Sequence, residues 1–141
     1  MTSIDHSGTF TLGDRAVRRL GYGAMQLAGP DVFGPPKDQK AGDDGLIGDL
    51  ARDGIAYVPF FPLGGFSPLQ SSTLSEIAKS LDATPMQVAL AWLLRRAPNI
   101  LLIPGTSSLS HLCENLAAAA LTLPDAAVGS LDGIAAGGVF A

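Results

Sequence analysis

Short apolar runs alternate with turn residues along the chain, and three of the runs have the length and continuity of buried strands. Residues 100–103, Ile-Leu-Leu-Ile, are uniformly apolar, and residues 55–61 are apolar and aromatic apart from one proline. Unbroken runs of this kind are typical of parallel strands covered on both faces. Residues 20–27 are a third candidate, although Gly21 and Gly23 weaken a strand unless another group approaches closely. These runs predict the strands of a buried sheet.

Two shorter runs lie near the start of the chain. Residues 9–12 and 15–20 flank the dipeptide Gly13-Asp14. A Gly/Asp pair between two strand-like runs favours the tight turn of a β-hairpin, because glycine adopts the backbone conformations that such turns require. We therefore predict an N-terminal hairpin that contributes packing rather than chemistry.

Apolar residues at helical spacing predict five helices, over residues 44–53, 73–81, 84–96, 109–119 and 124–134. Asp43 or Asp44 can cap the first helix, and Gly54 can end it. The second and third helices open with capping-box patterns at Thr73 and Thr84. These start and stop signals make the helix boundaries the most specific part of the local prediction.

The same spacing predicts which side of each helix is buried. The first helix has an apolar face made of Leu46, Ile47, Leu50 and Ala51. The third has an inner face made of Met86, Ala89, Leu90 and Leu93, with Trp92 covering its edge. The fourth has Leu109, Leu112, Cys113 and Leu116 at i, i+3, i+4 and i+7, and the fifth has Ala127, Leu131 and Ile134.

Composition narrows the class of protein. A chain of 141 residues with 47% hydrophobic and 16% charged residues is expected to form one domain with a sizeable core. The net charge of −4 without a basic cluster argues against nucleic acid as a partner. One cysteine excludes an intrachain disulfide, and no run is long enough to span a bilayer. We predict a soluble, cytoplasmic protein that does not bind membranes.

Candidate chemistry lies where the run 100–103 ends. Pro104 and Gly105 stop the strand, and Thr106, Ser107 and Ser108 lead into the fourth helix. A helix N-terminus offers backbone N–H groups and the positive end of the helix dipole, which together bind anions. The same residues also fit an ordinary strand–helix turn with a serine cap, and the pattern alone leaves both interpretations open.

The amino-acid sequence of this segment resembles that of a known family. Ile-Pro-Gly-Thr-Ser at 103–107, followed by His111 and Glu114-Asn115, resembles the part of the aldo-keto reductase family that holds the 2′-phosphate and adenine of NADP(H). Three further segments resemble the family. Residues 54–65 look like its seventh strand with the cofactor loop, residues 84–94 look like the next helix, and residues 19–27 look like the first strand. The likeness covers most of the chain in two separated family segments, and the middle of the family is absent.

The resemblance implies an α/β fold, a partial (β/α) barrel with a short parallel sheet, flanking helices and an N-terminal hairpin. A complete barrel needs roughly 250 residues. We expect a single truncated domain over residues 1–141, with the hairpin and first strand in 1–36 and the cofactor-binding part in 42–134. In the family's barrel the first strand pairs with the eighth and the eighth with the seventh, so the expected sheet order is 55–61, 100–103, 20–27.

Two further expectations follow from that sheet. Parallel connections are right-handed in about 98% of cases. The connection from the strand at 20–27 to the strand at 55–61 crosses the sheet in the opposite direction to the other connections. If it is also right-handed, the helix at residues 44–53 covers the sheet face opposite the helix at 84–96. A three-stranded sheet also keeps two open edges, which invite pairing. We therefore expect a homodimer or higher homo-oligomer.

The resemblance also implies cofactor-binding residues for NADP(H). They are Phe60 at the nicotinamide, Leu63 and Gly64 in the pyrophosphate loop, Gly105, Thr106 and Ser107 in the 2′-phosphate turn, His111 beside that phosphate, and Glu114 and Asn115 at the adenine. Many family members have Arg where this chain has His111, and neutral imidazole is a poorer phosphate partner than guanidinium. An exposed helical histidine without a role is the alternative.

Catalytic residues cannot be transferred from the family. The family polarises a small carbonyl substrate with a Tyr acid tuned by Lys and Asp beside a His, and the segments that carry these groups have no counterpart here. The tyrosines are Tyr22 and Tyr57, and neither lies in the family's motif. We therefore predict no catalytic residue. Three hypotheses remain open: NADPH-dependent carbonyl reduction, nucleotide binding without catalysis, and a structural remnant that self-associates.

Overall fold

The computed structural model describes residues 3–21, 44–59 and 71–136. The elements are a 3-10 turn at Ser3–Ser7, strands β1 (Thr9–Leu12) and β2 (Arg15–Arg18), helices α1 (Asp44–Arg52), α2 (Ser72–Ser80), α3 (Pro85–Arg96) and α4 (Leu109–Ala117), a 3-10 turn at Ala118–Ala120, and helix α5 (Asp125–Ala136). All five predicted helices are present. In the described ranges the chain is thus an α/β fragment with more helix than sheet.

The predicted hairpin is confirmed. Strands β1 and β2 pair in antiparallel fashion with Leu12 opposite Arg15. Gly13, the first residue of the two-residue turn, has a φ of 62°. A type II′ turn needs this left-handed conformation at that position, and glycine adopts it at no steric cost.

Short parallel contacts join the three segments that the sequence predicts as strands. Tyr57 forms a parallel bridge with Ile100, and Leu20 forms one with Leu102. The N–H of Leu102 donates to the carbonyl of Arg19 at 2.7 Å. The segment 100–103 therefore lies between the other two, which confirms the predicted order. Each pairing is an isolated bridge and not a continuous strand ladder. Residues 22–27 and 60–61 of the predicted strands lie outside the described ranges.

Two hydrophobic clusters share helix α3. The helix cluster consists of Leu74, Ala78, Val88, Ala91, Trp92, Leu123 and Leu131. The sheet cluster consists of Leu20, Ile47, Leu90, Ile100, Leu102 and Ala118. Because α3 is covered on both sides, Trp92 is only 4% exposed. The prediction that Trp92 covers an edge was wrong, since it lies in the core between α2, α3 and α5.

Helix α1 ends as its sequence predicts. The N–H of Gly54 donates to the carbonyl of Ala51 at 3.2 Å, and the N–H of Ile55 donates to that of Leu50 at 2.8 Å. Gly54 itself has a φ of 69°. These features form a Schellman motif, in which a left-handed glycine lets the chain turn back over the last carbonyls of a helix.

The side of the sheet that α1 covers differs from the prediction. Ile47 of α1 and Leu90 of α3 belong to one sheet cluster with Ile100 and Leu102. Helix α1 therefore lies on the same face as α3, and the expected three-layer arrangement is wrong. Hydrophobic burial explains why α1 lies on this face. The buried aliphatic side chains of the bridged residues are here, so α1 buries more apolar surface by packing against them than it would on the other face.

Side-chain caps fix the starts of α2 and α3. The N–H of Leu74 donates to Oγ of Ser71, so Ser71 caps α2 and the predicted cap at Thr73 was wrong. Both residues carry a suitable hydroxyl, and capping at Ser71 adds residues to the helix. At α3 the predicted capping box is confirmed: Gln87 N–H donates to Thr84 Oγ1 at 3.2 Å, and Thr84 N–H donates to Gln87 Oε1 at 2.8 Å.

Candidate functional site

A rigid turn connects the segment 100–103 to α4. Thr106 is buried, and its Oγ1 accepts a hydrogen bond from the N–H of Ser108 at 3.1 Å. Ser108 caps α4, since its Oγ accepts from the N–H of His111 at 3.4 Å, and the same Oγ lies 2.8 Å from Oγ of Ser110. Thr106 therefore shapes the turn, while Ser108 completes the first turn of the helix.

The start of α4 keeps the donors that an anion needs. The first N–H groups of a helix have no intrahelical acceptor, and Ser108 satisfies only that of His111. The N–H groups of Leu109 and Ser110 remain at the positive end of the helix dipole. Ser107, which precedes them, is exposed. The turn can thus present backbone amides and one hydroxyl to a phosphate.

The other predicted contacts of this region follow along α4. Ser107 precedes the helix, while His111, Glu114 and Asn115 lie on it, with Asn115 four residues after His111. His111 is exposed, Glu114 is partly buried and Asn115 is buried. The predicted contacts therefore lie in the turn before α4 and along the helix, with different degrees of exposure. Phe60, Leu63 and Gly64 lie outside the described residues.

Asn115 has an environment that the sequence did not predict. It is 6% exposed, whereas Leu109, assigned to the buried face, is 77% exposed and Cys113 is also exposed. The predicted inner face of α4 is therefore confirmed only towards the C-terminal end, where Leu116 packs against the sheet cluster and Ala118 belongs to it. In the described ranges, the buried side-chain atom without a hydrogen-bond partner is Oδ1 of Asn99 and not an atom of Asn115.

Asn115 is a polar residue that is only 6% exposed, and it lies on α4 further along the helix than the open N–H groups. Adenine offers both donors and acceptors on its ring edge, which an amide side chain can match. The polar groups here therefore fit a nucleotide whose phosphate lies at the helix start and whose base lies further along the helix.

A tyrosine that could act as general acid is not found beside this turn in the described ranges. Tyr57 packs against the sheet cluster, so its ring lies on the helix-covered face of the sheet. Tyr22 is outside the described residues. Within 3–21, 44–59 and 71–136, no group of three or more His, Cys, Asp or Glu residues could hold a metal ion. No helix in the same ranges is long and apolar enough to cross a membrane.

Comparison with known proteins gives one consistent family. Residues 67–136 match the model of the Aldo/keto reductase family. Pyridoxine 4-dehydrogenase of Escherichia coli is 72% identical over 92 residues, which are 65% of this chain and 32% of that protein. An uncharacterized oxidoreductase of Schizosaccharomyces pombe is 41% identical over 82 residues, which are 57% of this chain and 27% of that protein.

Solved structures agree with the sequence comparison. A thermostable aldo-keto reductase crystallised with the inhibitor epalrestat has a TM-score of 0.61 at 34% identity, over 70% of this chain and 36% of that one. An aldo-keto reductase from Klebsiella pneumoniae in complex with NADPH has a TM-score of 0.57 at 26% identity, over 63% and 33%. The chain thus spans about a third of the length of these relatives. It belongs to the aldo-keto reductase family.

Proposed function

We propose that this chain is an NADP(H)-binding module of the aldo-keto reductase type. The observation that carries the proposal is the start of α4, where the N–H groups of Leu109 and Ser110 follow the exposed Ser107, and where Ser108 caps the N–H of His111. The relative from Klebsiella pneumoniae was crystallised with NADPH, which supports the choice of nucleotide. The family's cofactor segment and the open polar groups of this chain coincide at the same turn.

Each predicted contact has a proposed role. Gly105 and Thr106 shape the turn, and Ser107 with the first N–H groups of α4 holds the 2′-phosphate. His111 pairs with that phosphate through its imidazole. Glu114 and Asn115 hold the adenine. Phe60, Leu63 and Gly64 are proposed for the nicotinamide and pyrophosphate by family position alone; when bound, NADPH supplies a hydride.

Fluorescence titration with NADPH and NADH tests this proposal. NADPH should bind saturably and more tightly than NADH, because only NADPH carries the 2′-phosphate. Ser107→Ala should weaken NADPH binding, whereas Ser130→Ala on α5, which is also exposed, should leave it unchanged. If neither nucleotide binds, the proposal fails and the structural-remnant hypothesis remains.

Carbonyl reduction is a second candidate function, favoured by the 72% identity with pyridoxine 4-dehydrogenase. Its substrate would be a small aldehyde or ketone. We expect binding without turnover, because Tyr57, the one tyrosine of the described ranges, packs against the sheet cluster. Incubation with NADPH and pyridoxal should leave NADPH unconsumed at the rate of a protein-free control. Protein-dependent NADPH consumption would instead assign the chain as a reductase.

A further inference from the structure

Helix α1 is a short helix that contains two glycines. Gly45 and Gly48 lie within its nine residues, and a glycine in a helix interior shifts the balance away from the helix about fivefold relative to alanine. A Cβ atom added to Gly48 would have no atom of the surrounding structure within 4 Å, so close packing does not require this glycine. Helices of this length are marginal in water on their own. Helix α1 therefore depends on its attachment to the rest of the chain.

That attachment uses one buried side chain and one buried amide. Of the α1 side chains that the structure describes, at residues 47–52, Ile47 is the one that is buried and belongs to the sheet cluster. Nδ2 of Asn99 donates to the carbonyl of Ile55 at 3.0 Å and to the carbonyl of Ile47 at 3.4 Å. The amide thus holds the helix and the residue just beyond its C-terminal turn against the start of the central segment.

The docked position of α1 leaves one atom of this amide without a partner. Asn99 is 1% exposed, and its Oδ1 is the buried side-chain atom of the described ranges that lacks a hydrogen bond. A buried acceptor in this state costs free energy, because it has given up its hydrogen bonds to water. When α1 moves away, water reaches the amide. Opening therefore recovers hydrogen bonds that the docked position does not provide.

We infer that α1 is a displaceable cover, which opens from the sheet cluster as a unit while α2 to α5 stay folded. Gly54 is the hinge, since its left-handed backbone lies where the helix ends and the chain enters the bridged segment. Opening removes Ile47 from its cluster with Ile100 and Leu102. Native proteins open locally where few apolar side chains are buried. The inference does not involve the turn before α4, so its test is separate from that of nucleotide binding.

Amide hydrogen exchange tests the inference, because it detects opening over minutes to hours. In the wild type, the amides of residues 49–55 should exchange about a hundredfold faster than the core amides of α3. Low concentrations of urea should leave the exchange of residues 49–55 unchanged, because the opening of one short helix exposes little surface. Exchange of these amides at the rate of the α3 amides, with the same dependence on urea, overturns the inference.

Two substitutions should move α1 in opposite directions. Gly48→Ala should slow the exchange of residues 49–55 about fivefold, because alanine favours the helix. Asn99→Ala should speed it by about fivefold to tenfold, because it removes the two hydrogen bonds to Ile47 and Ile55. Both variants should leave exchange in α5 unchanged.

Gly133→Ala is the matched control, since Gly133 is an equally open position on α5. It should leave the exchange of residues 49–55 unchanged. A variant that alters exchange in α1 and α5 by the same factor shows that α1 does not open separately, and this result overturns the inference. Unchanged exchange of residues 49–55 in Asn99→Ala does so as well.

Discussion

Nη2 of Arg19 lies 2.7 Å from the carbonyl oxygen of Leu94, which follows it by 75 residues. The same guanidinium donates to the carbonyls of Ala97 at 2.5 Å and Ile100 at 3.2 Å. Leu94 and Ala97 lie at the C-terminal end of α3, where carbonyls have no intrahelical donor and the dipole favours a cation. Arg19 therefore joins the segment after the hairpin to α3 and to the central segment of the sheet.

Arg19→Ala should lower the free energy of unfolding by about 2–4 kcal/mol, because it removes three charge-assisted hydrogen bonds to the carbonyls of Leu94, Ala97 and Ile100. Burial lowers the pKa of Arg19, but arginine stays protonated in proteins, so the loss should not depend on pH near neutrality. Urea unfolding measures the change. Arg15→Ala removes a guanidinium that is 85% exposed and should cost less than about 0.5 kcal/mol. Equal losses in the two variants would contradict the role of Arg19.

The N-cap of α2 gives different expected roles to Ser71 and Thr73, although they are only two residues apart. Ser71→Ala should destabilise the protein by about 1 kcal/mol, because the N–H of Leu74 loses its acceptor. Thr73→Ala should cost less, since Thr73 lies inside the helix and is not its cap. Thermal unfolding of the two variants gives the comparison. A larger loss of stability for Thr73→Ala than for Ser71→Ala would instead support Thr73 as the N-cap, as the sequence pattern predicts.

A hydrogen bond of the single tryptophan, which is buried, joins α3 to the partly exposed Asp132 of α5. Nε1 of Trp92 donates to Oδ1 of Asp132 at 2.8 Å, and the Arg96 guanidinium lies 4.7 Å from the Trp92 ring. Asp132→Ala leaves the indole N–H without this acceptor and should cost about 1–3 kcal/mol. It should also move the tryptophan emission to longer wavelength as water reaches the ring. Gly133→Ala, at an exposed neighbouring position, is the control, and an unchanged emission spectrum in Asp132→Ala would contradict the prediction.

His111 should determine the preference for NADPH over NADH. His111→Ala should lower the ratio of NADPH affinity to NADH affinity by about tenfold and leave NADH binding unchanged, because only the 2′-phosphate pairs with the imidazole. Glu114→Ala should instead weaken both nucleotides. Titrations of the wild type and the two variants with each nucleotide measure these effects, and equal affinities of the wild type for NADPH and NADH would remove His111 from the phosphate site.

Local features were predictable from the sequence because short-range chemistry determines them. Gly13 and Gly54 adopt left-handed backbone conformations that favour glycine, and Thr84 and Gln87 satisfy each other's N–H groups within one turn. The order of the three bridged segments was also predictable, but from the family resemblance and not from the pattern of apolar residues. At the candidate site, the position of the α4 N-terminus followed from the Gly-Thr-Ser-Ser letters.

Long-range packing was not predictable from periodicity. Leu109 has the spacing of a core residue, yet it is exposed while Asn115 is buried, and α4 packs against the sheet cluster through Leu116, towards its C-terminal end. The location of α1 depends on which sheet face offers more apolar surface to Ile47. Arg19 looked like the first residue of a strand, and its carbonyl partners lie too far along the chain for any local pattern to indicate them.

The location of the nucleotide is most directly tested by titrating the 15N-labelled protein with NADP+ and recording backbone amide shifts. The amides of Ser107, Ser108 and residues 109–111 should move most, together with the side-chain amide of Asn115, while the hairpin amides of residues 9–18 should remain unchanged. Saturation at these positions would place the phosphate at the start of α4. Unchanged spectra at millimolar NADP+, or the largest shifts on the hairpin, would contradict nucleotide binding at this turn.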